Sequence, residues 1–215
     1  MRQEFLNGQI VLHNANCVDI MRGIGDKEID LVLTDPPYGI GMDGGNVGYK
    51  GFNNFEKKDW DKERPKKEIF DELKRISENQ IFWGGNYFTD YLLPSRCYLV
   101  WDKGEGFYNR TYAECEIAYY SRDANCKIYK HDPLAKGDYK GKIHPTQKPV
   151  ALMSWCLNNY SKENDLIFDG FFGSGTTAIS CIRTKRRFIG CELDKEYFEK
   201  ACERIEIELK QLTLF

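Results

Sequence analysis

Four consecutive residues, Asp35, Pro36, Pro37 and Tyr38, directly follow the apolar run IDLVLT. Two successive prolines fix the backbone and remove two N–H donors, so the Asp carboxylate and the neighbouring carbonyls form a rigid group that only accepts hydrogen bonds. Such a cluster suits an NH2 group. An amine attached to an aromatic ring is a poor nucleophile, because its lone pair is delocalised. If Asp35 and the Pro36 carbonyl each accept one amino hydrogen, the nitrogen is held nearer to tetrahedral geometry with its lone pair aimed at an electrophile. Tyr38 would stack on the ring. The same four residues also fit an ordinary turn after a strand, so the weight falls on a second motif.

That motif is FDGFFGSGTT, Phe168 to Thr177, between the apolar run DLIFD and the helical pattern TTAISCIRT. Gly173 and Gly175 let the backbone approach a ligand closely at a helix N-terminus. The pattern is neither the GxGxxG fingerprint nor a P-loop, since no GK[ST] closes it. The next run, RFIGCEL, carries Glu192, where a carboxylate can accept from both hydroxyls of a ribose. Strand, glycine turn, helix, strand and acid read together as a nucleoside site. The plainer alternative is a capped strand-to-helix turn with an exposed Glu.

Both motifs need a sheet to hold them. Apolar runs at Ile10–Leu12, Ile29–Thr34, Gln80–Trp83, Cys97–Trp101, Cys115–Tyr120, Asp165–Phe168 and Arg187–Cys191 predict seven strands. IDLVLT, DLIFD and RFIG are apolar at successive positions, as in strands covered on both faces. Helical patterns lie between, at Cys17–Arg22, Lys66–Asn79, Pro149–Asn159, Thr176–Lys185 and Lys195 to about Leu212. This alternation predicts a mostly parallel α/β sheet. CYLVWDK and CEIAYYS, joined by a short loop, predict one antiparallel hairpin at its edge. Residues 39–61, rich in Gly, Asn and aromatics, are expected to form a mobile loop that closes over a bound ring through Tyr49, Phe52 and Phe55.

The chain of 215 residues, 41% hydrophobic, can bury one sizeable core. A net charge of -2 means that any nucleic-acid contact must come from local patches. Residues 122–143 hold Arg122, Lys127, Lys130, Lys136, Lys140 and Lys142 against three acids. Eight scattered cysteines without a CxxC pair are expected to be reduced core thiols. No apolar run approaches the roughly 18 residues of a membrane span, which predicts a cytoplasmic protein. His13, His131 and His144 show no metal-ligand spacing, so no metal is expected, and His144 reads as structural.

With these motifs in place, the chain resembles the amino-methyltransferases of DNA, in the class (beta) whose catalytic motif precedes the cofactor motif. DPPY matches the family's catalytic tetrapeptide, FDGFFGSGTT its methionine-binding loop, Glu192 its ribose-binding acid, and IHPTQKP, Ile143 to Pro149, a signature ahead of the cofactor strand. Together they span nearly the whole chain. The resemblance implies S-adenosylmethionine as cofactor and direct methyl transfer to adenine N6 of a flipped-out base in DNA. Cytosine N4 is the alternative; Asp at the head of the tetrapeptide tilts toward adenine, since cytosine enzymes more often carry Ser there. A non-catalytic binding module predicts damage to one of the motifs, and both are intact.

The resemblance further implies a circularly permuted, Rossmann-like methyltransferase fold in one catalytic domain over residues 1–215, with residues 122–143 as a short target-recognition segment. Asp169, Phe171, Gly173, Ser174, Gly175 and Thr176 would line the cofactor's methionine end. Asn16 would stand near its adenine end in place of the usual Asp, with Asp19 slightly beyond. Lys148 would meet the cofactor carboxylate or a DNA phosphate, or remain solvated. Lys127, Lys130, Lys136, Lys140 and Lys142 would contact phosphates. Gly170 departs from the family's DPF and should loosen the loop. A homodimer and a cognate restriction endonuclease are further expectations.

Overall fold

Strands with apolar residues at successive positions must have both faces covered, and they do. In a computed structural model describing residues 1–45 and 55–212, Leu31 and Leu33 enter one core while Val32 enters the other. Ile81 and Trp83 alternate with Phe82 in the same way, and Ile167 with Phe168. Each fully buried aliphatic or aromatic side chain contributes about 1.5–3 kcal/mol.

Among the described residues nine strands form one sheet: β1 (Arg2–Phe5), β2 (Ile10–Asn14), β3 (Ile29–Thr34), β4 (Ser77–Trp83), β5 (Tyr98–Asp102), β6 (Cys115–Tyr120), β7 (Lys127–Lys130), β8 (Leu166–Asp169) and β9 (Arg187–Glu192). Their order is β1-β2-β9-β8-β3-β4-β6-β5-β7. The five strands from β2 to β4 are mutually parallel. The helices are α1 (Cys17–Met21), α2 (Lys67–Ile76), α3 (Val150–Tyr160), α4 (Thr176–Thr184) and α5 (Lys195–Leu212). Residues of α1 and α2 pack into one core, and those of α3, α4 and α5 into the other.

All seven expected strands are present, and two more extend the sheet. β1 pairs antiparallel with β2, and β7 pairs parallel with β5; both are short, polar outer strands with little hydrophobic signal. The expected edge hairpin lies inside the sheet, because β6 inserts between β4 and β5, antiparallel to both. The helix expected over 66–79 stops at Ile76, since Ser77 already begins β4 and its hydroxyl bonds back to the Leu73 carbonyl at 2.5 Å.

Candidate active site

The two motif-bearing strands are neighbours: β3 pairs with β8 through Leu31↔Ile167 and Val32↔Phe168. Their carboxyl ends therefore emerge side by side, the usual place for a ligand in an open α/β sheet. The last residue of β3, Thr34, is fully buried and donates its hydroxyl to Asp169 Oδ1 at 2.5 Å. Asp169 also accepts from the Phe171 N–H at 3.0 Å and the Thr177 hydroxyl at 2.7 Å. Burial pushes its carboxyl up to about 6 against these bonds. Although Asp169 borders the cavity described next, its carboxylate is thus taken up in shaping the glycine loop.

The loop walls a cavity of about 320 Å³ whose lining includes Asn16, Phe171, Gly173, Ser174, Thr176 and Glu192. Gly173 and Gly175 adopt φ of 48° and 75°, a left-handed conformation that favours glycine. Glu192, at the end of β9, accepts from the Gly173 N–H at 3.0 Å and the Asp194 N–H at 2.8 Å. Among the described residues no cation pairs with it, and burial pushes its carboxyl up to about 7. Asn16 stands at the cavity, but its side-chain oxygen caps α1 by accepting from the Val18 N–H at 3.0 Å. Asp19 instead pairs with Arg22 on the surface. Gly170 has an ordinary φ, and a methyl there would meet the Cys17 Cβ at 3.3 Å. Gly170 therefore packs closely on Cys17.

The tetrapeptide Asp35–Tyr38 opens onto a second cavity of about 390 Å³, walled by rings that include Trp60, Tyr87, Trp101, Phe107 and Tyr139. Asp35, Pro37, Trp60 and Lys148 line both cavities, so the Asp35 carboxylate stands in the partition between them. Pro36 is buried and lines the larger cavity. Tyr38 donates its hydroxyl to Asp35 Oδ1 at 2.5 Å, and its ring lies on Tyr87 with centroids 4.7 Å apart. A side chain at Gly84 would collide with that ring, an added Cβ falling 2.1 Å from Cε1.

Lys148 is not the solvated lysine of one expected reading. Its ammonium, 6% exposed, donates to Asp35 Oδ2 at 2.5 Å and sits 2.9 Å from Glu116 Oε2. Glu116 Oε1 pairs with Lys103 at 2.7 Å. A buried, charge-balanced chain of Asp35, Lys148, Glu116 and Lys103 results. Burial opposes the charge on Glu116, yet Lys148 and Lys103 outweigh it and hold its carboxyl at about 2. Burial raises Asp35 above the usual carboxylate range despite Lys148, while the two acids hold Lys148 above the usual lysine range against burial.

Of the five lysines expected at phosphates, Lys127, Lys130, Lys136 and Lys140 are exposed. Lys142 is not available in that way. It lines the larger cavity with its ammonium 3.5 Å from the centre of the Tyr139 ring, and burial, then Lys148, lowers it to about 7. His144 is buried against Trp60 and Tyr197, and burial holds it down at about 3, in keeping with its structural reading. Tyr49 and Phe52 of the expected closing loop lie outside the described residues, whereas Phe55 borders the larger cavity. The base of that loop is pinned: buried Asp61 accepts from the Gly39 and Met42 N–H groups at 2.9 and 2.7 Å, and Lys58 pairs with Asp194 at 2.7 Å.

Three further residues were missed by sequence reasoning. Glu116 was overlooked because site residues were sought at strand carboxyl ends, and β6, running antiparallel, presents its amino end. Lys103 lies just beyond β5. Arg204 reaches from α5 to the Ser174 carbonyl at 2.9 Å and the Thr176 hydroxyl at 3.0 Å. A charged residue beside an apolar strand was the available signal for the first two; Arg204 had none on an amphipathic helix.

Comparison with known proteins agrees with this geometry. The model of a DNA methylase family, covering N6 and N4 methyltransferases, matches residues 99–203. Type II methyltransferase M2.MboI of Moraxella bovis is 27% identical over 235 residues, covering 90% of this chain and 86% of its own. Type II methyltransferase M.HpaI of Haemophilus parainfluenzae is 26% identical, covering 90% and 73%. The structure of an M1.HpyAVI–SAM complex superposes with a TM-score of 0.61 at 20% identity over 91% of this chain and 98% of that one. The cytosine-N4-specific PvuII DNA methyltransferase superposes at 0.60 with 15% identity over 91% and 86%. The fold is the Rossmann-like methyltransferase fold, and over residues 99–203 the chain is similar to the N6/N4 DNA methylases.

Proposed function

We propose that this chain transfers the methyl group of S-adenosylmethionine to an exocyclic amino nitrogen of a base in DNA, with adenine N6 as the target. The observation that carries the reading is the position of Asp35: one carboxylate in the partition between a cavity lined by the glycine loop and Glu192 and an aromatic-walled one. Asp at the head of the tetrapeptide favours adenine over cytosine. The exposed lysines of residues 122–143 suit a phosphate backbone.

The residues of the smaller cavity fit the cofactor. Glu192 keeps acceptor capacity on both oxygens after its two backbone bonds, as a ribose diol requires. The N-terminus of α4 favours a carboxylate. When bound, S-adenosylmethionine supplies an electrophilic methyl group. The chain's own work is to aim the acceptor. Asp35 and the Pro36 carbonyl accept the amino hydrogens and direct the nitrogen lone pair toward the smaller cavity. Tyr38 and the surrounding rings hold the base and exclude water. Asp35 is then in place to take the proton that the methylated amine must lose.

The test is transfer of labelled methyl from S-adenosylmethionine to mixed-sequence DNA, by the wild type and by Asp35→Ala, with digestion to identify the modified base. N6-methyladenine that disappears in the variant supports the proposal. N4-methylcytosine keeps the mechanism and changes the base. Absence of transfer despite cofactor binding refutes it.

A further inference from the structure

In the ligand-free protein the carboxylate that should receive the target amine is already occupied. Tyr38 donates to Asp35 Oδ1 and Lys148 to Oδ2, each at 2.5 Å. An incoming amine must compete with both donors for Asp35, and displacing either one clears an oxygen for its hydrogen. Lys148 has somewhere to go. Glu116 Oε2 lies 2.9 Å from its ammonium, fully buried and without a hydrogen-bond partner of its own. The approach is an ion pair lacking hydrogen-bond geometry, so one strong acceptor is held in reserve. The other oxygen, Oε1, is fixed by Lys103 at 2.7 Å, which keeps Oε2 pointed at the site. Trp83 and Tyr38 rings flank the ammonium at 6.0 and 5.6 Å, and besides the two carboxylates it donates to the Tyr38 hydroxyl at 3.3 Å.

We infer that Lys148 is a two-berth ammonium: it stands in for the target amine on Asp35 when the site is empty and moves its hydrogen bond to Glu116 when the base enters. Glu116 is then a positioning residue for base entry. The inference rests on the amino-transfer reading. Lys148 stays protonated in both berths, and the two carboxylates exchange one donor, so total charge in the buried site is unchanged as the neutral base arrives. That matters because a bare carboxylate left behind in this environment would oppose binding. The arrangement places the effect on base binding and not on cofactor binding or on the transfer step.

The test is a double-mutant cycle read through the kinetics of methyl transfer to mixed-sequence DNA. Glu116→Gln keeps the size of the side chain and an acceptor for Lys103 but weakens the second berth. It should raise KM for DNA about tenfold, the scale of a hydrogen bond between charged groups, with kcat changed less than about threefold and S-adenosylmethionine affinity by calorimetry within about twofold of wild type. In a Lys148→Met background no ammonium needs a berth, and Glu116→Gln should then shift KM less than about twofold. A KM rise that persists in that background, or a loss carried by kcat alone, overturns the inference. If Glu116→Gln does not fold, Glu116→Asp reads the same cycle with a smaller rise that must also vanish without Lys148. Wild type that transfers no methyl to DNA amines overturns the underlying reading instead, and the two failures are told apart by that single control.

Discussion

Replacing Glu192 by Gln should shift stability in the variant's favour between pH 5 and pH 8, on top of a pH-independent loss of one of its two backbone hydrogen bonds, and weaken binding of S-adenosylmethionine at both. Burial raises the Glu192 carboxyl from 4.5 to about 7, so between these values the folded state holds a proton that the unfolded chain has released. Stability then falls as pH rises through that window and levels off above it. Each tenfold in proton affinity is worth about 1.4 kcal/mol, so ionising Glu192 in the fold costs about 3 kcal/mol by pH 8 and about 1 kcal/mol at pH 5. Gln carries no such cost. The advantage of the variant over wild type should therefore grow by about 2 kcal/mol from pH 5 to pH 8, or roughly 4–8 °C in Tm for a chain of this size. Urea unfolding of both proteins at the two pH values measures it, the pairwise difference cancelling other titrations. Calorimetry should show affinity for the cofactor reduced roughly tenfold to a hundredfold, as a charged acceptor for hydroxyls is lost. A stability difference that does not change with pH refutes the view that Glu192 is an unpaired carboxylate held in the fold for a ligand.

Other outcomes follow from the same geometry. Gly84→Ala puts a Cβ 2.1 Å from the Tyr38 ring, so the ring must leave Tyr87; methyl transfer should fall by about 10²-fold while circular dichroism stays native. Thr34→Val removes the buried bond to Asp169 and should cost about 1–3 kcal/mol in urea unfolding. Changing Lys127, Lys130, Lys136 or Lys140 to Gln should each flatten the salt dependence of DNA binding by about 0.9 in log–log slope if it meets a phosphate. Lys142→Gln, at a side chain turned into the cavity, should leave that slope unchanged.

Much of the molecule was legible in the chain itself because the information is local. Consecutive apolar residues in IDLVLT and DLIFD specify strands buried on both faces, two prolines specify a backbone that cannot donate, and Gly173 and Gly175 specify a turn into a helix. These patterns placed the five mutually parallel strands β2, β9, β8, β3 and β4 and both motifs at strand ends. β1 and β7 escaped because an outer strand is recruited by a neighbour's backbone rather than by its own side chains. Only the tertiary structure decided the electrostatics. Lys148 and Asp35 are separated by more than half the chain, and their pairing depends on Thr176 anchoring the Lys148 carbonyl at 3.1 Å. Glu116 became a site residue because β6 runs against its neighbours and brings its first residues to the end where the others finish. Strand direction and long-range register are collective properties of the packed sheet, so no local pattern could carry them; composition and spacing determined the acceptor, and packing determined which cation occupies it.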